Sequence, residues 1–107
     1  MYILSQNGLA TYNADNAYAI RLEYTCKDEK KYGKYRDAAA VIVIYYKDNG
    51  KITGSILAQY KEESDGEFFY RDLLLAIADH IAVYDFNGML QQEKKTIVDE
   101  SEPERGV

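Results

Sequence analysis

The segment from Val41 to Lys51, VIVIYYKDNGK, decides the fold of this 107-residue chain. It begins with six apolar or aromatic residues, and such an uninterrupted run is typical of a central strand covered on both faces. Asn49-Gly50 follows, and this dipeptide favours a two-residue type I′ hairpin because both residues tolerate positive φ. We therefore expect strands over 38–47 and 52–60. The predicted register pairs Asp48 with Lys51, Tyr46 with Thr53, Ile44 with Ser55 and Ile42 with Leu57.

The N-terminal part predicts further strands. Asn7-Gly8 is a second hairpin signal, between 2–6 and 9–13, and the cluster at 13–16 predicts another turn. From Ala17 apolar residues occupy every second position, as in a half-buried strand. Cys26 ends this pattern and is interpreted as a small core residue. A lone cysteine forms no internal disulfide, and the sequence has no Cys/His cluster for zinc.

One amphipathic helix follows the second long strand. Ser64 and Glu67 have the spacing of a capping box, so the helix is predicted to run from Glu67 to Tyr84. Asn87-Gly88 supplies its stop signal. Segment 89–98 is ambiguous between a short helix and an edge strand. The centre of the stripe expected to face the core consists of Phe69, Leu73, Ile77, Ile81 and Tyr84. The stripe is widened by Tyr70, Leu74 and Ala78.

These elements predict an α+β fold, with a single antiparallel sheet of four or five strands, open to strong curling, and one helix packed on it. A pleckstrin-homology-like barrel is the alternative, but it needs more strands than the sequence shows. Residues 1–98 are expected to form one domain. Residues 99–107, acidic and poor in apolar residues, predict a disordered tail. The chain has neither an apolar run of about 18 residues nor a signal-peptide start, so we expect a cytoplasmic protein without membrane segments.

Two short motifs carry a family resemblance. Residues 3–8 read ILSQNG, and residues 57–60 read LAQY just before the charged turn and the helix. This order resembles small phage- and prophage-related proteins of Gram-positive bacteria that have an N-terminal ILSQ(D/N) hairpin and a C-terminal helix. The resemblance covers roughly residues 2–84, and it implies a cytoplasmic, prophage-encoded protein without an assigned activity. The charged loop at 27–37 and the segment after residue 88 depart from the pattern.

No catalytic residues, metal ligands or cofactor site are predicted. His80 is the single histidine, and Asp72 and Asp79 are the acidic residues nearest to it on the helix. A metal or proton-transfer site would need further ligands from elsewhere, so His80 is interpreted as a residue on the helix flank. The glycines do not have phosphate-loop spacing, and residues 85–88 lack the first ligand positions of a calcium loop. We therefore expect a protein that is not an enzyme.

Two hypotheses for function remain. The first is a small binding or assembly protein whose partner is another protein or a second copy, because tyrosine is enriched at interfaces and one helix covers only one face of a sheet. The expected homodimer contact is a strand edge or the tyrosine-bearing face of the sheet. The second is single-stranded nucleic-acid binding through the loop at 27–36, with basic groups on phosphates and tyrosines on bases. The net charge of −5 argues against the second. Its candidate residues are Lys30, Lys31, Tyr32, Lys34, Tyr35 and Arg36.

Overall fold

Two three-stranded sheets and one long helix make up the part of the chain that the structure describes. The structure is a computed structural model, and it describes residues 1–25 and 38–88. Helix α1 (Glu63–Ala78) follows the fifth strand, and a 3-10 turn (Ala14–Asn16) follows the second. The strands are β1 (Tyr2–Leu4), β2 (Thr11–Asn13), β3 (Ala19–Tyr24), β4 (Ala40–Asp48), β5 (Lys51–Tyr60) and β6 (Val83–Asp85).

The strand order differs from the predicted single antiparallel sheet, although the α+β class is confirmed. One sheet has the order β2-β1-β6 and the other has the order β3-β4-β5. Strand β6 pairs with β1 in parallel, and the other pairings are antiparallel. Within the described ranges the two sheets do not close into a barrel. The prediction of a single sheet is wrong because the β1–β2 hairpin pairs with β6 and not with a strand of the β3-β4-β5 sheet.

The β4–β5 hairpin confirms most of its predicted register. Asn49 has φ 53° and Gly50 has φ 80°, as a type I′ turn requires. Beyond the turn, Ile42 pairs with Ala58 and not with Leu57, because a β-bulge shifts the register between Ile42 and Val43. The pairs Asp48–Lys51, Tyr46–Thr53 and Ile44–Ser55 are as predicted.

The N-terminal hairpin has a longer loop than a two-residue turn. The N–H of Ser5 donates to the carbonyl of Ala10 at 2.8 Å, and the N–H of Gly8 donates back to the carbonyl of Ser5 at 2.9 Å. Gly8 has φ 75°, and the side-chain oxygen of Asn7 accepts the N–H of Leu9 at 2.9 Å. Asn7-Gly8 is therefore a turn, as predicted, but β2 starts at Thr11.

Both ends of α1 differ from the prediction. The helix begins at Glu63, and its N-cap residue, Glu62, makes no side-chain capping bond, so the Ser64–Glu67 capping box is wrong. At the other end His80 adopts φ 57°. Its N–H donates to Ile77 O at 3.1 Å, which is one of the two hydrogen bonds of a Schellman motif. The second such bond runs from Ile81 N–H to Ala76 O at 3.0 Å.

The core lies between α1 and the two sheets. Gly66 allows the helix to approach β4, because a Cβ at this position would lie 2.8 Å from the Cβ of Ala40. Tyr60 and Phe69 stack with ring centroids 5.3 Å apart. The buried cluster consists of Ile3, Ile42, Ile44, Leu57, Ala58, Tyr60, Phe69, Leu73, Tyr84 and Phe86.

Hydrogen bonds from tyrosine hydroxyl groups join the strands and the helix to one another. Burial raises the pKa of Tyr84, and its hydrogen bond to Asp72 raises that pKa further. The hydroxyl therefore stays protonated and serves as a donor. Bonds of this kind between different elements include those from Tyr46 to Asn13 O at 3.0 Å, from Tyr70 to Ile20 O at 2.9 Å, and from Tyr84 to the Asp72 carboxylate at 2.6 Å.

Gln6 joins the first sheet to the edge of the second. Its side-chain amide donates to Gln59 O at 3.1 Å and accepts the N–H of Gln59 at 3.0 Å. Its backbone N–H donates to Leu57 O at 2.8 Å. The side chain thus pairs with the exposed edge of β5 as a neighbouring strand would. The ILSQNG and LAQY motifs are therefore in direct contact.

Candidate protein-binding surface

The side of α1 turned away from the core is apolar over the second half of the helix. Successive helical residues lie about 100° apart, so the continuous run LLLAIA at 73–78 cannot place all its side chains on the core. Leu73 takes the buried position, whereas Leu74 and Leu75 remain 44% and 59% exposed. We call the exposed side the outer helix face. Its residues are Phe68, Arg71, Leu74, Leu75, Ala78 and Asp79.

Two predicted core residues belong to the exposed surface. Ile77 is 39% exposed and Ile81 is 46% exposed, whereas Phe69 and Leu73 are buried as predicted. The helix ends at Ala78, so Ile81 lies beyond it and does not continue the buried stripe. Tyr84 is buried as expected, but it reaches the core from β6.

The outer helix face also carries one charge of each sign. Arg71, Leu75 and Asp79 follow one another at intervals of four residues, so they lie along one ridge of the helix surface. Eight residues span about 12 Å along a helix axis, too far for Arg71 and Asp79 to pair with each other. In residues 1–25 and 38–88, the one ion pair present joins the Met1 amino group to Asp15. Both charges of the outer helix face therefore lack an ion-pair partner there.

A cleft of about 410 Å³ separates the end of α1 from the 3-10 turn. It contains one carboxylate and one imidazole. The Asp15 carboxylate accepts a hydrogen bond from the Met1 amino group at 3.0 Å, and His80 is held by its backbone as the helix terminator. These two groups do not make up a catalytic set. The cleft is lined by Met1, Ala14, Asp15, Ile20, Ile77, His80, Ile81 and Ala82.

A second cleft, of about 360 Å³, includes Tyr18, Glu23, Tyr45 and Ile52 among its lining residues. Two of its polar side chains, Tyr45 and Glu23, contact each other. The Tyr45 hydroxyl donates to the Glu23 carboxylate, and the Tyr45 ring lies over Gly54, where a Cβ would approach the ring to 2.7 Å. This packing of an aromatic ring over a strand glycine stabilises the β4–β5 pair and accounts for the cleft without a ligand.

The residues proposed for nucleic-acid contact cannot be placed. Lys30, Lys31, Tyr32, Lys34, Tyr35 and Arg36 lie outside the described residues, as do Cys26, segment 89–98 and the predicted tail at 99–107. Of the acidic residues near His80, Asp72 accepts the Tyr84 hydroxyl and has a structural role. In the described part of the chain, no group of three or more His, Cys, Asp or Glu side chains could hold a metal ion.

Comparisons of the chain with protein-family models, with curated proteins and with solved structures found no match. Of the helices that the structure describes, none has the length and apolar character needed to cross a membrane. The outer helix face is a surface feature that packing within the described residues leaves unexplained. The signal for it was present in the sequence as the run of consecutive apolar residues at 73–78, which is broader than one helix stripe.

Proposed function

We propose that the protein is a small non-enzymatic binding or assembly protein that binds another protein chain through the outer helix face. The observation that carries this proposal is the set of large apolar side chains exposed on one helix, above all Leu75 at 59%. Adjacent exposed apolar side chains are typical of protein–protein contact sites. A cytoplasmic location and a phage or prophage origin belong to the proposal and rest on the sequence resemblance.

The scaffold suits this role because the helix is held firmly on its inner side. Phe69 and Leu73 are buried, and the Tyr70 hydroxyl ties the helix to β3 through Ile20 O. A partner therefore meets a helix that is already ordered, so binding loses little conformational entropy on this side. Amphipathic helices that place apolar side chains against a groove or a second helix are a recurrent mode of protein recognition.

Site-specific photo-crosslinking in cells tests the proposal. A photoreactive residue replaces Leu75 in the full chain, and a matched variant carries it at Leu9, which is 86% exposed but lies in the N-terminal loop. We expect a discrete protein adduct from position 75 and none from position 9. Absence of an adduct at position 75, or the same adducts from both positions, would contradict the proposal.

Single-stranded nucleic-acid binding through residues 27–36 is the alternative, favoured by the five basic residues and two tyrosines in that loop. The described surface gives nucleic-acid binding little further support, because acidic side chains outnumber basic ones in residues 1–25 and 38–88. A gel shift at several salt concentrations distinguishes the alternatives. Nucleic-acid binding through this loop requires an affinity that falls steeply as salt rises and that is lost when Lys30, Lys31, Lys34 and Arg36 are neutralised together.

A further inference from the structure

We propose that the chain bound by the outer helix face is a second copy of this protein, packed as an antiparallel helix pair with a twofold axis at Leu75. This inference rests on the proposed function and names its partner. It follows from the order of three residues along the exposed ridge: Arg71, Leu75 and Asp79.

The charges of the ridge are complementary under a twofold axis. In a twofold contact, residue i meets residue j and residue j meets residue i. When two antiparallel helices cross at Leu75, a residue four positions before the axis faces a residue four positions after it. Arg71 then faces Asp79 of the partner subunit, and the same pair forms again on the other side of the axis. A parallel, in-register pair would instead set Arg71 against its own copy and Asp79 against its own copy.

The apolar residues fit the same arrangement. Leu75 meets its symmetry mate at the axis, and Ala78 is small enough to let two helix backbones come close. Leu74, 44% exposed, flanks this centre.

The expected affinity follows from the size of the contact. With the twofold axis at Leu75, the two helices overlap from about residue 72 to the helix end at Ala78, about 10 Å along the axis, so the contact lies below the lower limit of specific interfaces, about 1,200 Å² of total buried surface. We therefore expect a weak dimer that forms at tens of micromolar concentration. Two copies bring two ion pairs, so a charge reversal in the chain acts twice in each dimer.

Sedimentation of the purified full chain over the micromolar range provides the test. We expect dimerisation, which Leu75→Glu abolishes and the matched exposed change Leu9→Glu leaves intact. Arg71→Asp and Asp79→Arg should each raise the dissociation constant at least tenfold, because each places like charges opposite one another. The double variant, Arg71→Asp with Asp79→Arg, should return the dissociation constant to within about threefold of that of the unaltered chain. Circular dichroism of each variant verifies that it is folded.

Two results would overturn the inference. One is a folded protein that stays monomeric at 100 µM or above, and the other is a double variant that dimerises no better than either single variant. A monomer that nevertheless gives the position-75 adduct with a different protein would overturn self-association and leave the proposed function standing. A monomer without that adduct would contradict both.

Discussion

At the scale of single residues, His80 ends α1 in a conformation that glycine adopts at lower cost. Its φ of 57° lies in the left-handed region, which costs a residue with a Cβ roughly 1–2 kcal/mol. We expect His80→Gly to raise the free energy of unfolding by about 1 kcal/mol and His80→Val to lower it. Urea denaturation measures both changes. A loss of stability in His80→Gly would show that the imidazole makes a stabilising contact.

Gly66 presents the opposite case, a helix position where alanine should destabilise. Alanine in place of glycine normally stabilises a helix by up to about 1 kcal/mol. Here the new methyl group would lie 2.8 Å from the Cβ of Ala40, which belongs to a buried strand and cannot move aside. Gly66→Ala should therefore lower the free energy of unfolding by about 1–3 kcal/mol.

Ser64→Ala is the matched control for Gly66→Ala. Ser64 is exposed in the same first turn and makes no capping bond, so its replacement should change the free energy of unfolding by less than about 0.5 kcal/mol. A stabilising Gly66→Ala would mean that the helix does not approach β4 as closely as the structure shows.

The end of the helix shows where residue-level prediction stops. Glycine and asparagine mark a left-handed helix terminus in a sequence, and residues 79–82 contain neither. The apolar spacing of Ile81 and Tyr84 also continued the helical pattern. The stop at Asn87-Gly88 was therefore predicted in place of the true end at Ala78. Residues 83–85 pair with β1 as strand β6 and do not extend the helix. No local sequence pattern indicates this long-range pairing.

At the scale of elements, the contact between Gln6 and β5 connects the two sheets. We expect Gln6→Ala to lower the free energy of unfolding by about 1–2 kcal/mol, since it removes two side-chain hydrogen bonds. Hydrogen exchange at the amide of Gln59 should become faster. Gln59→Ala is the control, because Gln6 contacts only the backbone of that residue. Unchanged exchange in Gln6→Ala would show that the contact does not protect the edge of β5.

The elements that could be predicted from the sequence are those decided locally. The β4–β5 hairpin depends on one dipeptide and its flanking strands, and its register near the turn was predicted correctly. The bulge at Leu57 was not, because it depends on which side chain best fills the core at that point. The contact between residues 6 and 59 joins segments far apart in sequence. In the sequence, these two segments are linked only because both belong to the motifs of the family resemblance. That resemblance gives no information on how the two segments contact each other.

At the scale of the whole molecule, composition and patterning predicted the α+β class but not the division into two sheets. The N-terminal hairpin β1–β2 pairs with β6 in parallel and not with a strand of the β3-β4-β5 sheet, so there are two sheets where one was predicted. The candidate site was also missed. The predicted stripe turns Leu74, Ile77 and Ile81 toward the core, so the apolar surface at Leu74 and Leu75 is not predicted from the sequence.

The most direct test of the central claim is whether the outer helix face is open in the folded monomer. Methyl NMR with a soluble paramagnetic probe measures this at a concentration where sedimentation shows a monomer. We expect strong broadening of the Leu75 methyl signals and little broadening at Leu73, which is fully buried. Leu9, at 86% exposure, provides the reference for an open side chain. Protection of Leu75 equal to that of Leu73 would contradict the account, because the face would then be covered by the chain itself.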